Sequence, residues 1–511
     1  MDWQREHSAE AIRQDVSQCP GGTDTGRPDA EPELQRLDHA VNHLRRTRPE
    51  LSSAYSVVGW QAATLVVLTV ALVIGAVAMP SVTHTVVFAT MALSFFCIVA
   101  IRILAIATLL SVRAPAPESP NEKSGLDEVF PRYAILVPLY KEAEVVPALI
   151  EALSALDYPT DCLEISLIVE REDRATRMAL EAQVLPTHMR IVEVPEGQPR
   201  TKPRALNYAL ASARGDYVVV YDAEDMPEPD QLRRALKAFR SAGPELGCVQ
   251  ACLNTYNPEE TFFTRQFTIE YTALFDAIVP TLARLDLPVP LGGTSNHFPR
   301  RILETSGGWD PFNVTEDADL GIRLARQGAR VAGLASTTWE EAPETFRIWL
   351  GQRTRWLKGW MQTYIVHMRE PTRLLRDLGL KRFAGLQVLM GGMILSCLVH
   401  PWFYVVLGAS LLSGRSDLLV PSDEWHVLYW AGLFNLFAGY VSAIALGAIA
   451  VARRGRPELA ISVLAVPIYW LLISWAAYRA LWELVSAPHH WEKTQHHARN
   501  VVANSNPPLV T

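Results

Sequence analysis

Three short acidic or mixed segments carry side chains that could do chemistry. The first is Asp222-Ala223-Glu224-Asp225, placed directly after the β-branched run Tyr217–Tyr221. Carboxylates two residues apart in an extended loop can face one hard cation, Mg²⁺ or Mn²⁺, which also takes phosphate oxygens and so neutralises a nucleoside-diphosphate leaving group. An acidic turn after a strand is equally an ordinary structural feature. The second segment is Thr315-Glu316-Asp317, opening the helical run 316–326. It reads either as a helix cap, a threonine followed by acids in the first turn, or as a general base, Asp317, aimed at an acceptor hydroxyl. The third is Gln352-Arg353-Thr354-Arg355-Trp356, in a helical stretch bearing several Trp and Arg. It suits an anchor at a membrane interface, and it suits a diphosphate contact (Arg355) beside a flat face for a sugar ring (Trp356).

The elements that must position these residues are of two kinds. From Arg132 to about residue 340, short apolar runs alternate with amphipathic helical stretches: 133–138, 142–156, 164–169, 173–184, 189–194, 202–213, 217–221 and 228–241. That alternation predicts an α/β domain with a mostly parallel sheet, whose ligands bind where the strands end. Around it lie five long apolar runs, 56–79, 85–112, 384–412, 427–451 and 459–482. Each is long enough to cross a hydrocarbon layer of about 30 Å at about 1.5 Å per residue. The Pro-rich linker Arg113–Asp127 separates the second run from the α/β domain.

The implied order is a disordered polar tail over 1–50, two membrane helices over 51–112, a catalytic domain over 128–342, and interfacial amphipathic helices over 343–382. About three membrane helices over 383–485 and a polar tail over 486–511 complete it. Basic residues at Arg45, Arg46 and Arg48, in Arg373–Arg382 and in Arg453–Arg456 place the α/β domain on the cytoplasmic side of a cell membrane, with no signal peptide at the start. Five full crossings would put the C-terminus outside, whereas the basic stretch His489–Arg499 prefers the inside; Pro401 and Pro467 are candidate breaks in a span. Arg102, His400, Asn435, Arg479 and Glu483 fall within apolar runs, either snorkelling towards a surface or lining a channel.

A net charge of −7 argues against nucleic acid as a partner. The six cysteines form no C-x-x-C pair and read as ordinary thiols of a reducing compartment. A Walker-type phosphate loop is absent from the sequence, which speaks against a nucleotide-regulated transporter.

Taken together and in this order, the three segments resemble the signature of the processive family 2 glycosyltransferases, the cellulose, curdlan, hyaluronan and bacterial exopolysaccharide synthase type. In that family a D-x-D-like metal site precedes a T/S-E-D base motif and then Q-x-x-R-W. Val137-Pro138-Leu139-Tyr140-Lys141-Glu142, Lys202-Pro203-Arg204-Ala205-Leu206-Asn207, Gly292-Gly293-Thr294-Ser295-Asn296 and Gly307-Gly308-Trp309-Asp310 resemble further segments of it, and Pro488–Thr494 is similar to a tail of exopolysaccharide synthases. The resemblance implies a GT-A-like nucleotide-sugar-binding domain inserted between transmembrane helices, and a hexosyltransferase activity. It implies Asp317 as base with Glu316 beside it, and Asp222 and Glu224 as ligands of Mg²⁺ or Mn²⁺, with Asp225 the substitute for Glu224. Pro138, Tyr140, Glu142, Glu170, Glu172 and Lys202 would contact the nucleotide sugar; Gly293, Asn296, Gln352, Arg355 and Trp356 would meet the acceptor and diphosphate.

Two departures stand out. The family's Asp-Asp-Gly after the second strand is Glu170-Arg171-Glu172-Asp173 here, and the metal motif is Asp-x-Glu. The implied reaction is an inverting transfer from a UDP-sugar to the growing end of a β-linked polysaccharide, a glucan by the tail, coupled to export and open to accessory export proteins. The alternative is a single transfer to a polyprenyl phosphate or another lipid acceptor.

Overall fold

The structure, a computed structural model, describes residues 33–55, 57–111, 129–413 and 426–488. The linker Arg113–Asp127, residues 1–32 and the tail beyond Pro488 lie outside the described residues.

Eight strands form one sheet: β1 (Tyr133–Leu139), β2 (Leu163–Glu170), β3 (Met189–Val194), β4 (Tyr217–Val220), β5 (Met226–Pro227), β6 (Leu246–Thr255), β7 (Asn296–Pro299) and β8 (Arg330–Glu340). Their order is β3-β2-β1-β4-β7-β6-β8-β5. Strands β1 to β4 pair in parallel, as do β6 and β8, while β7 runs antiparallel between β4 and β6. The first four strands are apolar on both faces because helices cover both. Tyr133, Ile135 and Val137 pack towards the Val146–Ser154 helix, and Ala134 and Leu136 towards the Lys202–Leu210 helix. Chain order reverses between β1 and β4, so a crevice opens at their carboxyl ends, where ligands of such sheets bind.

Among the described residues, five helical spans are long and apolar enough to cross a membrane: Gly59–Ala78, Pro80–Ser111, Pro371–Val405, Trp430–Arg453 and Pro457–Ser486. The polar residues within the apolar runs are partnered, Arg102, His400 and Asn435 across helices and Arg479 with Glu483 of its own helix. Arg102 donates to the Gly439 carbonyl (3.3 Å) and lies 4.9 Å from the Trp470 ring centroid. His400 bonds the Tyr440 hydroxyl (3.0 Å), Asn435 donates to Ala92 O (2.8 Å), and Arg479 pairs with Glu483 (2.9 Å). Such groups hold helices together where no water competes.

One domain expectation needs correction. Residues 33–47, read as part of a disordered tail, form a helix whose Leu37, Ala40, Val41 and Leu44 are buried. Their spacing is that of one helical face, and the face lies on the Lys202–Leu210 helix. The stretch 343–382, read as interfacial amphipathic helices, holds the helix Phe346–His367 and most of the helix Pro371–Leu386. The helix Phe346–His367 buries Trp349, Arg353, Leu357, Lys358 and Met361, and packs between the α/β domain and the Val466–Ser486 helix. Its Arg353 and Lys358 pair with Glu270 and Glu483 of neighbouring elements.

Candidate active site

The acidic loop leaves β4 at the crevice. Asp222 pairs with Lys202 (Oδ1 to Nζ, 2.5 Å), and the same ammonium donates to the Gly293 carbonyl (2.7 Å). Lys202 opens its helix, with Pro203 in the first turn where a missing N–H costs nothing. Burial works against the ammonium, yet the carboxylates of Asp222, Glu316 and Asp317 hold its pKa above the ordinary lysine value. Asp225 turns inward: its Oδ2 accepts from the Asp222 backbone N–H (2.7 Å) and from the Thr294 hydroxyl. It therefore shapes the loop, and leaves Asp222 and Glu224 half-buried at the mouth.

The loop 292–296 closes one side of the crevice. Ser295 takes a left-handed conformation (φ 57°), its N–H donates to Val220 O (2.7 Å), and Gln250 Oε1 accepts from the Gly292 N–H (2.8 Å). Asn296 is buried and donates to Gly292 O (2.6 Å), so it props the loop from behind. Gly293 sits where three segments meet. A Cβ there would lie 3.3 Å from Asp317 Oδ2, 3.8 Å from Lys202 Nζ and 3.9 Å from Asp222 Oδ2.

Thr315 precedes the Glu316–Arg326 helix but its hydroxyl caps nothing; it faces Gly359 of the Phe346–His367 helix so closely that a Cβ on Gly359 would fall 2.3 Å from Thr315 Oγ1. The two helices are thereby in near-backbone contact. Asp317 Oδ1 accepts from the Ala318 N–H (2.7 Å). Burial raises the Asp317 pKa, and burial together with the Asp317 charge pushes Glu316 up to about 7. Arg355 projects into the same negative field: burial lowers its pKa, while Glu316, Asp222, Asp317 and Glu224 oppose that. Trp356 stacks on Tyr271 (centroids 6.0 Å, 19° between planes), with Arg353 4.9 Å from its centroid. Arg353 itself is held by Glu270 in a bidentate pair (2.8 and 2.6 Å) and by the Tyr469 hydroxyl of the Val466–Ser486 helix (3.1 Å). Gln352 is half-buried on the same helix.

On the other side of the crevice, Pro138 is the last residue but one of β1 and Tyr140 follows the strand. Arg200 bonds the Tyr140 hydroxyl (3.0 Å) and pairs with Glu172 (2.6 Å). Glu142 is buried, its N–H donating to Thr176 (2.9 Å). Glu170 is committed to a buried ion pair with Arg204, and Asp173 caps the next helix while accepting from the Lys141 N–H (2.5 Å). Of the acids after β2, Glu172 is thus the one at the surface of the crevice. Arg200 and Gln250 escape sequence reasoning because each acts through a tertiary partner and neither belongs to a spaced motif; Thr294 lies in the segment 292–296, but its bond to Asp225 is tertiary too.

Asp225 Oδ1 is buried without a hydrogen-bond partner. Burial, then the charges of Asp222 and Glu224, raise the Asp225 pKa well above the carboxylate range. Glu340, at the end of β8, is raised by burial and by the same three carboxylates. Among the described residues no three His, Cys, Asp or Glu side chains form a cage by themselves. This suits an ion that takes one or two carboxylates and completes its shell with phosphate and water, as Mg²⁺ commonly does.

A mostly parallel sheet with its crevice at the β1/β4 reversal, acids after β4 and a lysine opening the next wall together define a GT-A-like fold. Residues 131–359, just under half of the chain, match the family described as "Glycosyltransferase like family 2". The chain is 28% identical over 243 residues (47% of this chain, 57% of the relative) to a Bacillus subtilis protein described as a probable glycosyltransferase. It is 28% identical over 296 residues (56% and 61%) to the β-monoglucosyldiacylglycerol synthase of Synechocystis. With glucomannan 4-β-mannosyltransferase 2 of Arabidopsis thaliana it shares 27% over 240 residues (45% and 44%). The chain thus spans roughly half the length of these curated relatives. Among solved structures, a mannosyltransferase from Pyrobaculum calidifontis in complex with GDP-Man and Mn²⁺ is similar, with a TM-score of 0.47, 19% identity, and coverage of 78% of this chain and 99% of that one.

Proposed function

We propose that the protein is a membrane-bound, inverting hexosyltransferase that moves a sugar from a UDP-sugar to the growing end of a β-linked polysaccharide. The observation that carries this reading is the meeting of Asp222, Lys202 and Asp317 around Gly293, with Arg355 facing the same carboxylates. Asp317 takes the proton of the acceptor hydroxyl, its carboxylate oriented by the Ala318 N–H. The acceptor oxygen attacks the anomeric carbon and the bond to UDP breaks on the opposite face. Lys202 and Arg355 meet the charge growing on the diphosphate, and fixed cations in a site sheltered from water do this at little reorganisation cost. A Mg²⁺ or Mn²⁺ ion held by Asp222 and Glu224 would neutralise that charge further. Trp356 with Tyr271 offers a flat aromatic wall for a sugar ring near the base.

The acceptor class follows from Gln352–Trp356, a segment that accompanies chain-elongating relatives, and the glucan assignment from the tail around Pro488. A second reading has one observation in its favour. The helix bearing Arg355 and Trp356 packs directly on the Val466–Ser486 helix, which would put a lipid acceptor within reach. The Synechocystis relative bears the name of a glycolipid synthase. Purified enzyme given labelled UDP-sugars separates the two: products of many added sugars, digestible by linkage-specific β-hydrolases, support polymer synthesis, and a single added sugar on an extractable lipid replaces it. Absence of UDP release from every donor would overturn both.

A further inference from the structure

We infer that residues 33–55 form a strap that positions the catalytic helices, and that Arg369 and the Ser53 backbone N–H are its working contacts. The inference rests on the site as read above, and concerns a segment that lies before the family match. The strap touches three functional elements in turn. Its helix lies on the Lys202–Leu210 helix, where Asn207 Nδ2 donates to Ala40 O (3.0 Å). Asn207 also bridges to Trp309, accepting from its N–H (3.0 Å) and donating to its carbonyl (2.8 Å). Gly307 is the next contact: a Cβ there would lie 2.8 Å from Leu44. Ser53 N–H and the Ser52 hydroxyl then bond the fully buried Asp310 (2.5 and 3.2 Å), five residues before Thr315.

Arg369 gathers the far end. It follows the Phe346–His367 helix, and its guanidinium donates to the carbonyls of Pro49 (3.2 Å), Glu50 (3.3 Å), Ser52 (2.9 Å) and Tyr55. Trp60 Nε1 then donates to Arg369 O (3.2 Å) and Gln61 to Ile365 O (2.9 Å), so the strap hands over to the first membrane span at the same place. One continuous segment therefore fixes the lysine helix, the loop leading to the base and the Q-x-x-R-W helix relative to one another. A planar five-donor guanidinium can span those carbonyls; an ammonium cannot.

The two residues are positioning residues, so their loss reads in turnover rather than in donor binding. The test compares full-length Arg369→Lys, Ser53→Pro (which removes the N–H) and Ser53→Ala (which keeps it) in detergent. Turnover with a UDP-sugar, the donor KM and the UDP Kd are measured for each. The expected result is about a tenfold or larger fall in kcat for Arg369→Lys and Ser53→Pro. UDP Kd should stay within about twofold, and Ser53→Ala should match the wild type. Unchanged kcat in Arg369→Lys and Ser53→Pro overturns the inference, as does a loss of UDP affinity in step with kcat. Wild-type transfer, run alongside, tests the parent reading separately.

Discussion

Substituting Gly359 by alanine tests the geometry that brings the base helix and the Q-x-x-R-W helix together. The new Cβ would stand 2.3 Å from Thr315 Oγ1, 2.5 Å from Cγ2 and 2.8 Å from Cβ. Ordinary contact needs roughly 3.5 Å, so the two helices must part by about 1 Å. Overpacking of this kind costs about 1–3 kcal/mol of stability, offset by about 0.5–1 kcal/mol for replacing a helical glycine. The protein should therefore fold. Catalysis is less forgiving, since a misplacement of about 1 Å costs roughly 100-fold in rate, or about 2.7 kcal/mol of barrier. UDP release per enzyme, with UDP Kd as the control, measures it: kcat falls about 100-fold while UDP binding holds. Adding Thr315→Ala removes two of the three clashing atoms and should restore part of the rate, as coupled neighbours do in a double-mutant cycle. Wild-type turnover in Gly359→Ala would refute the claim that this contact sets the register of the site.

Asp317→Asn should abolish sugar transfer and leave UDP binding within about twofold, checked by product formation and calorimetry. Lys202→Met should move the acid limb of kcat to higher pH. The Lys202 charge lowers the pKa of both Glu316 and Asp317, so without it these carboxyls stay protonated to higher pH; a pH–rate profile shows the direction. Chelation with EDTA should stop transfer and added Mn²⁺ or Mg²⁺ restore it, whereas Asp222→Asn should no longer respond to added metal at concentrations that saturate the wild type.

Much of the scaffold is legible in the chain because its physics is local. The runs 133–138, 164–169, 189–194 and 217–221 are β1 to β4 to within two residues, since strands buried on both faces read as continuous apolar stretches. The apolar runs near 56–79 and 427–451 likewise correspond to spans at Gly59–Ala78 and Trp430–Arg453. What stays hidden is set by distant partners. Leu37, Ala40, Val41 and Leu44 make a clean helical face, yet the polar surroundings outweigh it until the Lys202–Leu210 helix is there to receive it. Glu170 looks as available as Glu172 until Arg204 claims it. Asp225 and Glu224 are adjacent acids, and only the Thr294 hydroxyl and the Asp222 N–H decide which one turns inward. Arg353 and Arg355 differ by two positions, and a partner 83 residues away, Glu270, separates a structural arginine from one that faces the site.

The ion pairs joining the Phe346–His367 helix to its neighbours bear on how such proteins can be recombined. The family match ends at residue 359, inside that helix. A graft cut at that boundary would keep Arg353 and Lys358 from one parent, and take Tyr469 and Glu483, their partners at 3.1 and 3.3 Å, from the other. The unit of exchange is therefore larger than the domain. Swapping acceptor preference between relatives calls for moving Glu270, the whole helix and the Val466–Ser486 helix as one block.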